Sequence, residues 1–583
     1  MTRTFRSSNE GGFAILAILL IIVVLTAIAG LTQLTSRTEL RIGANTYANS
    51  QAYYAAEAGV EKLLAEMRNQ MAAGFLTQKK VDTASLQPPK IPGYTFSTYT
   101  AELDTTVTVQ SITQGPFAGL TSMDQPLHVT ASVVSATGAR STVEVSAKTQ
   151  AIPIFQFQVF YDKDLEIFPG PLMNLHGRVH TNGDLYIDGD TGLYLWDMVT
   201  SAGDLHLHRK DSGGGDDGLK NFIAQADGSW VEFVKDTHSF GGDDDPKTLP
   251  SNADDKAFDD YSTTTWGHQI QTRASGIVPM RLPIPDGMDP YSIIQPCTGT
   301  EDPSLALVRY GCKANLIVRV NGTALKITNG AGTTKVLMDP LAVRFVTNAF
   351  YDDREQSSSG GSDNTSSNRD VVEIDVSRLT QAEYGNGIVY VTADSLPAGL
   401  PAASKDARQY VVRVRNGKLL LDPLTIATNL PMYVMDDYNS DDASWQPASL
   451  VSDAITILSG NWDDAKSGEG KTEILPKDIK VQAAIMAGHT ETPFVGSPNP
   501  GGQYENFPRF LEDWSKPQTV MLNGSMISLW TARVTPSKWE CCNYYVPPVR
   551  DWNFDARFMD PDQLPPATPV VGQLLRVGFV RRY

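Results

Sequence analysis

The apolar positions of this chain fall into unlike patterns along its length. The first is an uninterrupted run, Phe13 to Leu31 (FAILAILLIIVVLTAIAGL), of 19 residues without a charge. At about 1.5 Å rise per residue it reaches roughly 28 Å, close to the hydrocarbon core of a bilayer. It predicts one transmembrane helix. The residues before it are hydrophilic and carry Arg3 and Arg6, which keeps that end in the cytoplasm and sends the rest outward. A secretory signal would have a shorter apolar stretch followed by a small-residue cleavage site, whereas here Gly11-Gly12 precedes the run. The helical pattern then continues past the membrane. Ala44 to Met71 has an Ala, Val and Leu face and no proline, so residues 13–73 predict one rod, transmembrane segment and stalk together, of about 55–60 residues.

Beyond the rod the period changes to two. Thr95–Ala101, Val107–Ile112, His128–Val134 and Ser141–Ala147 alternate polar and apolar residues between Gly and Pro, which predicts a small β-rich head over 75–150. Residues 151–583 continue in the same mode as a large β-rich domain. Asn321-Gly322, Asn416-Gly417 and Asn523-Gly524 each sit between strand-like runs and predict two-residue hairpins. Gly183-Asp184-Leu185-Tyr186-Ile187 recurs as Gly203-Asp204-Leu205-His206-Leu207, 20 residues on, a length suited to one coil of a parallel β-helix; a sandwich is the alternative. In Tyr504–Trp514, Phe507, Phe510, Leu511 and Trp514 fall at helical spacing behind a capping Asn506 and Pro508, which predicts a core helix. Gly213–Asp217, Gly241–Asp245 and Asp352–Asp370 are too polar to bury apolar surface and predict exposed loops. The fold class is therefore α+β, a long N-terminal helix followed by a large β-rich ectodomain.

Composition sharpens this picture. The chain has 583 residues, 41% of them hydrophobic and 20% charged, enough for more than one core. A formal charge of -18 repels a phosphate backbone and speaks against nucleic acid as the main ligand. One apolar run in so polar a chain excludes a polytopic membrane protein.

The polar leader ending in Gly12, the Phe13 that opens the apolar run, and Gln51-Ala52-Tyr53-Tyr54-Ala55-Ala56-Glu57-Ala58-Gly59 resemble the N-terminal region of PilX-like type IV pilus assembly proteins. The resemblance covers about the first 70 residues. It implies that residues 1–12 are a prepilin leader cut between Gly12 and Phe13 by prepilin peptidase, that the new Phe13 amine is methylated, and that the helix packs with other pilins and minor pilins after leaving the inner membrane. Phe155–Ile187 and Tyr504–Trp514 are similar to segments of large PilX-like envelope proteins. One position departs: the fifth mature residue is Ala17, where major pilins carry a glutamate that pairs with the neighbouring terminal amine. That departure suits a tip or initiating subunit, and the tip minor pseudopilin of type II secretion systems shares it.

Candidate chemistry outside the helix is sparse. Asp437, Asn439 and Asp441 have the D-x-N-x-D spacing of a calcium loop, but Asp442 and Ala448 stand where an EF-hand needs Gly and Glu, so an acidic turn competes with calcium. Gly468-Glu-Gly-Lys471-Thr472 lacks the earlier Gly of a phosphate loop, Ala465 standing there. His176/His180 and His206/His208 each suit a metal only if the pairs converge, and a 20-residue coil would put Tyr186, not His180, on His206. Cys297 and Cys312 would bridge in an oxidising envelope; Cys541-Cys542 is open between a vicinal disulfide, two thiols and exchange with the first pair. No catalytic constellation emerges, and the chain reads as a non-enzyme without a cofactor other than calcium. The function expected is a minor pilin, single-pass in the inner membrane and then on a surface pilus, that initiates or caps the filament and presents its β domain to a surface or glycan ligand. The alternatives are a type II secretion tip pseudopilin and a tethered envelope-glycan hydrolase.

Overall fold

The computed structural model describes residues 10–72, 81–211, 220–233, 255–282, 284–285, 287–352, 354, 368–394, 410–468, 474–495, 497, 501–516, 518–535 and 545–582. The fold is α+β, as the pattern of periods requires. Helix α1 runs unbroken over Glu10–Ala72. Its large apolar residues from Phe13 to Ile42 stand exposed, whereas Ala52, Ala55, Ala56, Val60, Leu63, Leu64, Met67 and Met71 are buried. Those positions recur at the three- and four-residue steps of one helix face. They pack on an antiparallel sheet made of β1 (Tyr94–Leu103), β2 (Thr108–Ser111), β3 (Thr121–Ser135) and β4 (Arg140–Pro153), ordered β1-β3-β4 with β2 also on β3. Leu127, Val129 and Ala131 face Ala147, Val145 and Val143 across β3 and β4 to form the other half of this core.

The head is not closed by its own segment. The C-terminal strand Val570–Arg582 returns to pair antiparallel with β4, Val571 opposite Ile152 and Arg582 opposite Thr142. A boundary at residue 150 with everything beyond it in one domain is thus corrected: the last strand belongs to the head.

Between β4 and that strand the chain builds a parallel β-helix, and the sandwich alternative is discarded. Val159, Val179 and Val199 stack in register, as do Leu165, Leu185 and Leu205, so successive coils are 20 residues long. Their side chains line one continuous interior. The order of coils does not follow the chain. From Val159–Tyr161 the chain winds through Val179–Thr181 and Val199–Ser201 to Ile270–Gln271. It then starts again at the far end with Leu316–Asn321 and winds back through Ile388–Ala393, Leu424–Thr428, Ala448–Ser452 and Ile479–Ala487 to Thr519–Ser528. There Met526–Ser528 pairs with Val159–Tyr161 and joins the two windings into one parallel sheet of ten strands. Its ends are covered, as a solenoid requires: the hairpin partner Ala324–Thr328 closes one end, and the helix Asp255–Thr265 with Phe258 and Trp266 closes the other.

Several local expectations are corrected. Around Asn321-Gly322 there is a hairpin, but Asn321 pairs with Ala324, so Gly322 and Thr323 form its turn. Asn416 sits in a bulge with φ 54° inside a strand that pairs only in parallel. Gly524 lies within the unbroken strand Thr519–Ser528, where a Cβ would come within 1.9 Å of the Ala483 carbonyl oxygen; glycine is there for close approach, not for a turn. Tyr504–Trp514 is not a helix. A single 3-10 turn, Tyr504–Asn506, is followed by the strand pair Pro508–Arg509, with Phe507, Phe510 and Trp514 still buried. The ends of the Asp352–Asp370 stretch are buried rather than exposed: Asp352 and Arg354 form an ion pair at 2.6 Å, and the Tyr433 hydroxyl donates to Asp352 at 2.5 Å. Most of that stretch, with Gly213–Asp217, Gly241–Asp245, Glu469–Thr472 and Cys541-Cys542, lies outside the described residues.

Candidate assembly helix and candidate binding sites

The exposed half of α1 is built for an apolar medium. Among the described residues it is the one helix long and apolar enough to cross a membrane. Thr32, Thr35 and Thr38 donate their hydroxyls to the carbonyls four residues earlier at 2.8–2.9 Å, and Thr26 does the same to Ile22, so these four hydroxyls are satisfied within the helix. Gly12 and Phe13 lie within the helical backbone near its start, and Phe13 is 80% exposed. Ala17 presents no carboxylate on this surface.

The Gln51–Gly59 segment is a packing device. Ala52, Ala55 and Ala56 let the helix lie close on the sheet, and Gly59 receives the Phe96 ring, whose Cε1 would be only 2.4 Å from a Cβ. Tyr53 donates to Glu57 at 3.0 Å and carries the Arg581 guanidinium over its ring. The motif therefore docks the head on the rod, with the C-terminal strand contributing.

The acidic run 436–442 has partners of its own. Asn439 is buried; its Nδ2 donates to the carbonyls of Gln446 (2.7 Å) and Gln482 (3.0 Å), and its Oδ1 accepts the Gln446 N–H at 3.1 Å. Asp437 accepts the Lys480 N–H at 3.0 Å and Asp441 accepts that of Ala443 at 3.2 Å. Lys477, Lys418 and Lys480 stand 2.9, 3.8 and 2.7 Å from Asp436, Asp437 and Asp442. With the middle oxygen turned inward and the charge met by lysines, the loop holds its shape through protein contacts, and Asp437, Asn439 and Asp441 each take separate hydrogen-bond partners.

Cys297 and Cys312 are joined by a disulfide with Cα atoms 4.9 Å apart. Inside the loop it closes, Arg309 pairs with Glu301 at 2.8 Å and donates to the Ser292 and Pro296 carbonyls, which ties the segment leading back to the far end of the solenoid. The histidine pairs do not converge. His180 is buried between Thr200 and Asn182, and burial lowers its pKa to about 4; His206 stacks on Tyr186 at 4.4 Å, as the coil length implies.

One feature of the 20-residue repeat escaped sequence reading although its signal was present. Asp164, Asp184 and Asp204 form a ladder in which Asp164 accepts the N–H of Asp184 at 2.9 Å, Asp184 accepts that of Asp204 at 2.8 Å, and Asp204 accepts from Arg273 at 2.8 Å. Gly183 and Gly203 precede these aspartates because a Cβ there would meet the carboxylate of the coil before at 2.5 and 2.2 Å. The Gly-Asp pair is thus the splice between coils. Burial raises the carboxyls of Glu166, Glu505 and Glu512 to about 7. These lie within the solenoid body, whereas the 810 Å³ cavity between head and solenoid is lined by Arg68, Arg281, the amides of Asn69, Gln114, Gln150 and Gln573, and apolar residues, without a carboxylate.

No family model matches the chain, and no curated protein matches it. Among solved structures the chain shows a likeness to "competence-associated pilin ComZ from Thermus thermophilus", at 11% identity over 92% of this chain and 97% of that chain with a TM-score of 0.30, too low to bear on fold or function.

Proposed function

We propose that this chain is a membrane-anchored subunit of the type IV pilin class, a minor pilin that assembles through α1 and presents the solenoid outward for adhesion or partner binding. The support is α1 itself. One continuous helix leaves its apolar first half bare of contacts while its second half forms the core of the head, so the same rod that anchors the precursor is free to pack against copies or relatives once withdrawn from the bilayer. The leader and Gly12-Phe13 junction, with the Gln51–Gly59 segment, carry the resemblance to PilX-like proteins. Ala17 favours the end of a filament, because a shaft subunit must offer a carboxylate to the cationic terminus of its neighbour in apolar surroundings, where an unpaired charge costs several kcal/mol.

Processing tests this reading. N-terminal sequencing of the chain recovered from sheared surface filaments is expected to start at Phe13, and Gly12→Val is expected to keep the leader and remain in the inner membrane. Normal maturation and surface export of Gly12→Val would overturn it.

A further inference from the structure

Six Asn-Gly pairs occur in the chain, opening at Asn182, Asn321, Asn329, Asn386, Asn416 and Asn523. The pair has a chemistry of its own. A glycine after asparagine leaves its backbone nitrogen unshielded by a Cβ, so that nitrogen can reach the side-chain carbonyl carbon of the asparagine. The reaction needs a side chain free to turn, an unengaged glycine N–H and room for a ring. The dipeptide is the same at all six sites, so any ranking among them comes from the fold.

Five of the six are restrained. Asn182 Nδ2 donates to Asp162 Oδ1 at 2.8 Å and to the Met280 carbonyl at 2.7 Å, and Asn329 Oδ1 accepts the N–H groups of Ala331 and Thr333. The Nδ2 atoms of Asn386, Asn416 and Asn523 donate to the Lys313 carbonyl, Asp375 and Gln482 at 2.7, 2.8 and 3.0 Å. The glycines that follow are crowded as well: a Cβ at Gly183, Gly330, Gly387, Gly417 or Gly524 would come within 1.9–2.8 Å of a neighbouring atom. Asn321 differs on every count. It ends the strand Leu316–Asn321 opposite Ala324, and residues 321–324 are all exposed. Gly322 takes φ 61° at the tip, with nothing within 4 Å of the place a Cβ would occupy. Among the described residues, neither the Asn321 amide nor the Gly322 N–H has a hydrogen-bond partner.

We infer that Asn321 is a self-modification site whose conversion to isoaspartate loosens the end of the solenoid. The Gly322 nitrogen gives up its proton and bonds to Asn321 Cγ; the Cγ–Nδ2 bond breaks, and ammonia leaves carrying that proton. Water then opens the cyclic imide. Addition at Cγ releases the Gly322 nitrogen back to the main chain and leaves aspartate. Addition at the main-chain carbonyl carbon leaves isoaspartate, with the backbone rerouted through Cβ and Cγ. The net exchange is one water in and one ammonia out. Isoaspartate lengthens the backbone by one carbon at the residue paired with Ala324, so the hairpin cannot keep its register. The strand displaced, Ala324–Thr328, lays Leu325 and Ile327 on the core that Leu316, Val318 and Val320 enter from the first coil of that winding.

Full-length chain in detergent micelles is aged in mildly alkaline heavy-oxygen water, and its peptides are mapped by mass, since each conversion takes up one heavy oxygen. Asn321 is expected to convert at least about tenfold faster than any of the other five, whose hydrogen bonds must open first. In the urea-unfolded chain the six rates are expected to converge. Amide hydrogen exchange over Leu316–Thr328 is expected to quicken in the aged chain but not in Asn321→Gln aged beside it, because the longer side chain closes a larger ring more slowly. Equal rates at the six sites of the folded chain, the same ranking kept in urea, exchange unchanged after conversion, or quickened exchange in aged Asn321→Gln would each overturn it.

Discussion

Glu505 gives the solenoid a stability that should decline as pH rises. Its side chain is buried beside the seam between the two windings, and neither carboxylate oxygen has a partner with hydrogen-bond geometry. Burial raises its pKa from an ordinary 4.5 to about 7, and the Arg550 charge, the N–H groups of Glu505 and Phe168, and the Arg209 charge offset only part of this. A folded-state value above the unfolded one means the native state binds the proton more tightly, so the favourable contribution is complete below about pH 4.5 and is lost as pH rises through about 7. At about 1.36 kcal/mol per pH unit the full span is worth about 3 kcal/mol. Glu505→Gln keeps the shape and cannot ionise. It is expected to match the parent at pH 4, to exceed it by under about 1 kcal/mol at pH 5 and by up to about 3 kcal/mol at pH 8, read from urea unfolding of the full-length chain at each pH. Because Glu166 and Glu512 are unchanged in both proteins, the difference isolates Glu505. Parallel profiles from pH 5 to 8 would show that Glu505 finds a charged-state partner and would refute the reasoning.

Two further outcomes follow from backbone and loop geometry. Gly524→Ala drives a methyl into the Ala483 carbonyl of the neighbouring coil and is expected to cost about 1–3 kcal/mol, seen as a lower melting temperature; an unchanged melt would show that the two coils part without strain. Asn439→Ala removes three hydrogen bonds and is expected to cost about 2–3 kcal/mol, while melts of the parent in millimolar calcium and in chelator are expected to coincide. A calcium-dependent rise abolished by Asp437→Ala with Asp441→Ala would restore a cation site there.

What the sequence disclosed depended on how local each signal is. The rod was legible because uncharged residues and then a helix-spaced face run without a break from Phe13 to Met71. The coils were legible where Leu165, Leu185 and Leu205 repeat, since stacking needs the same residue at the same station. Asn-Gly misled twice because it reports a need for positive φ or for a missing Cβ, and a bulge at Asn416 or a tight approach at Gly524 meets that need as well as a hairpin does. The helical spacing of Phe507, Phe510 and Trp514 misled because a solenoid corner also turns side chains inward every three or four residues. Asp352 and Arg354 hid in a loop-like composition, since their burial depends on Tyr433 and Phe510 from other coils. The pairing of Val571 with Ile152 left no local trace at all, being a contact between segments more than 400 residues apart.

That last pairing also decides how the large domain can act. The chain enters the solenoid at Val159, six residues after β4 ends at Pro153, and leaves it at Phe554 to begin the head's last strand at Val570. Both connections are at the coil where the two windings meet, so the solenoid is fixed to the head near its middle and extends both ways, its ten strands covering roughly 43 Å at about 4.8 Å per step. Two adjacent antiparallel strands make a joint that resists twisting better than a single linker does, and the Arg576–Glu61 and Arg582–Glu144 ion pairs tie the returning strand to α1 and to β4. A load on either arm therefore passes in shear across the β4 ladder into the helix rather than peeling one strand away. A crosspiece of this breadth on every subunit would collide with its neighbours at the spacing of packed helices, whereas at a filament end it is unobstructed on both sides. For a chain that assembles as proposed, the breadth of the solenoid and the neutral side chain of Ala17 favour the same position by independent physics, one steric and one electrostatic.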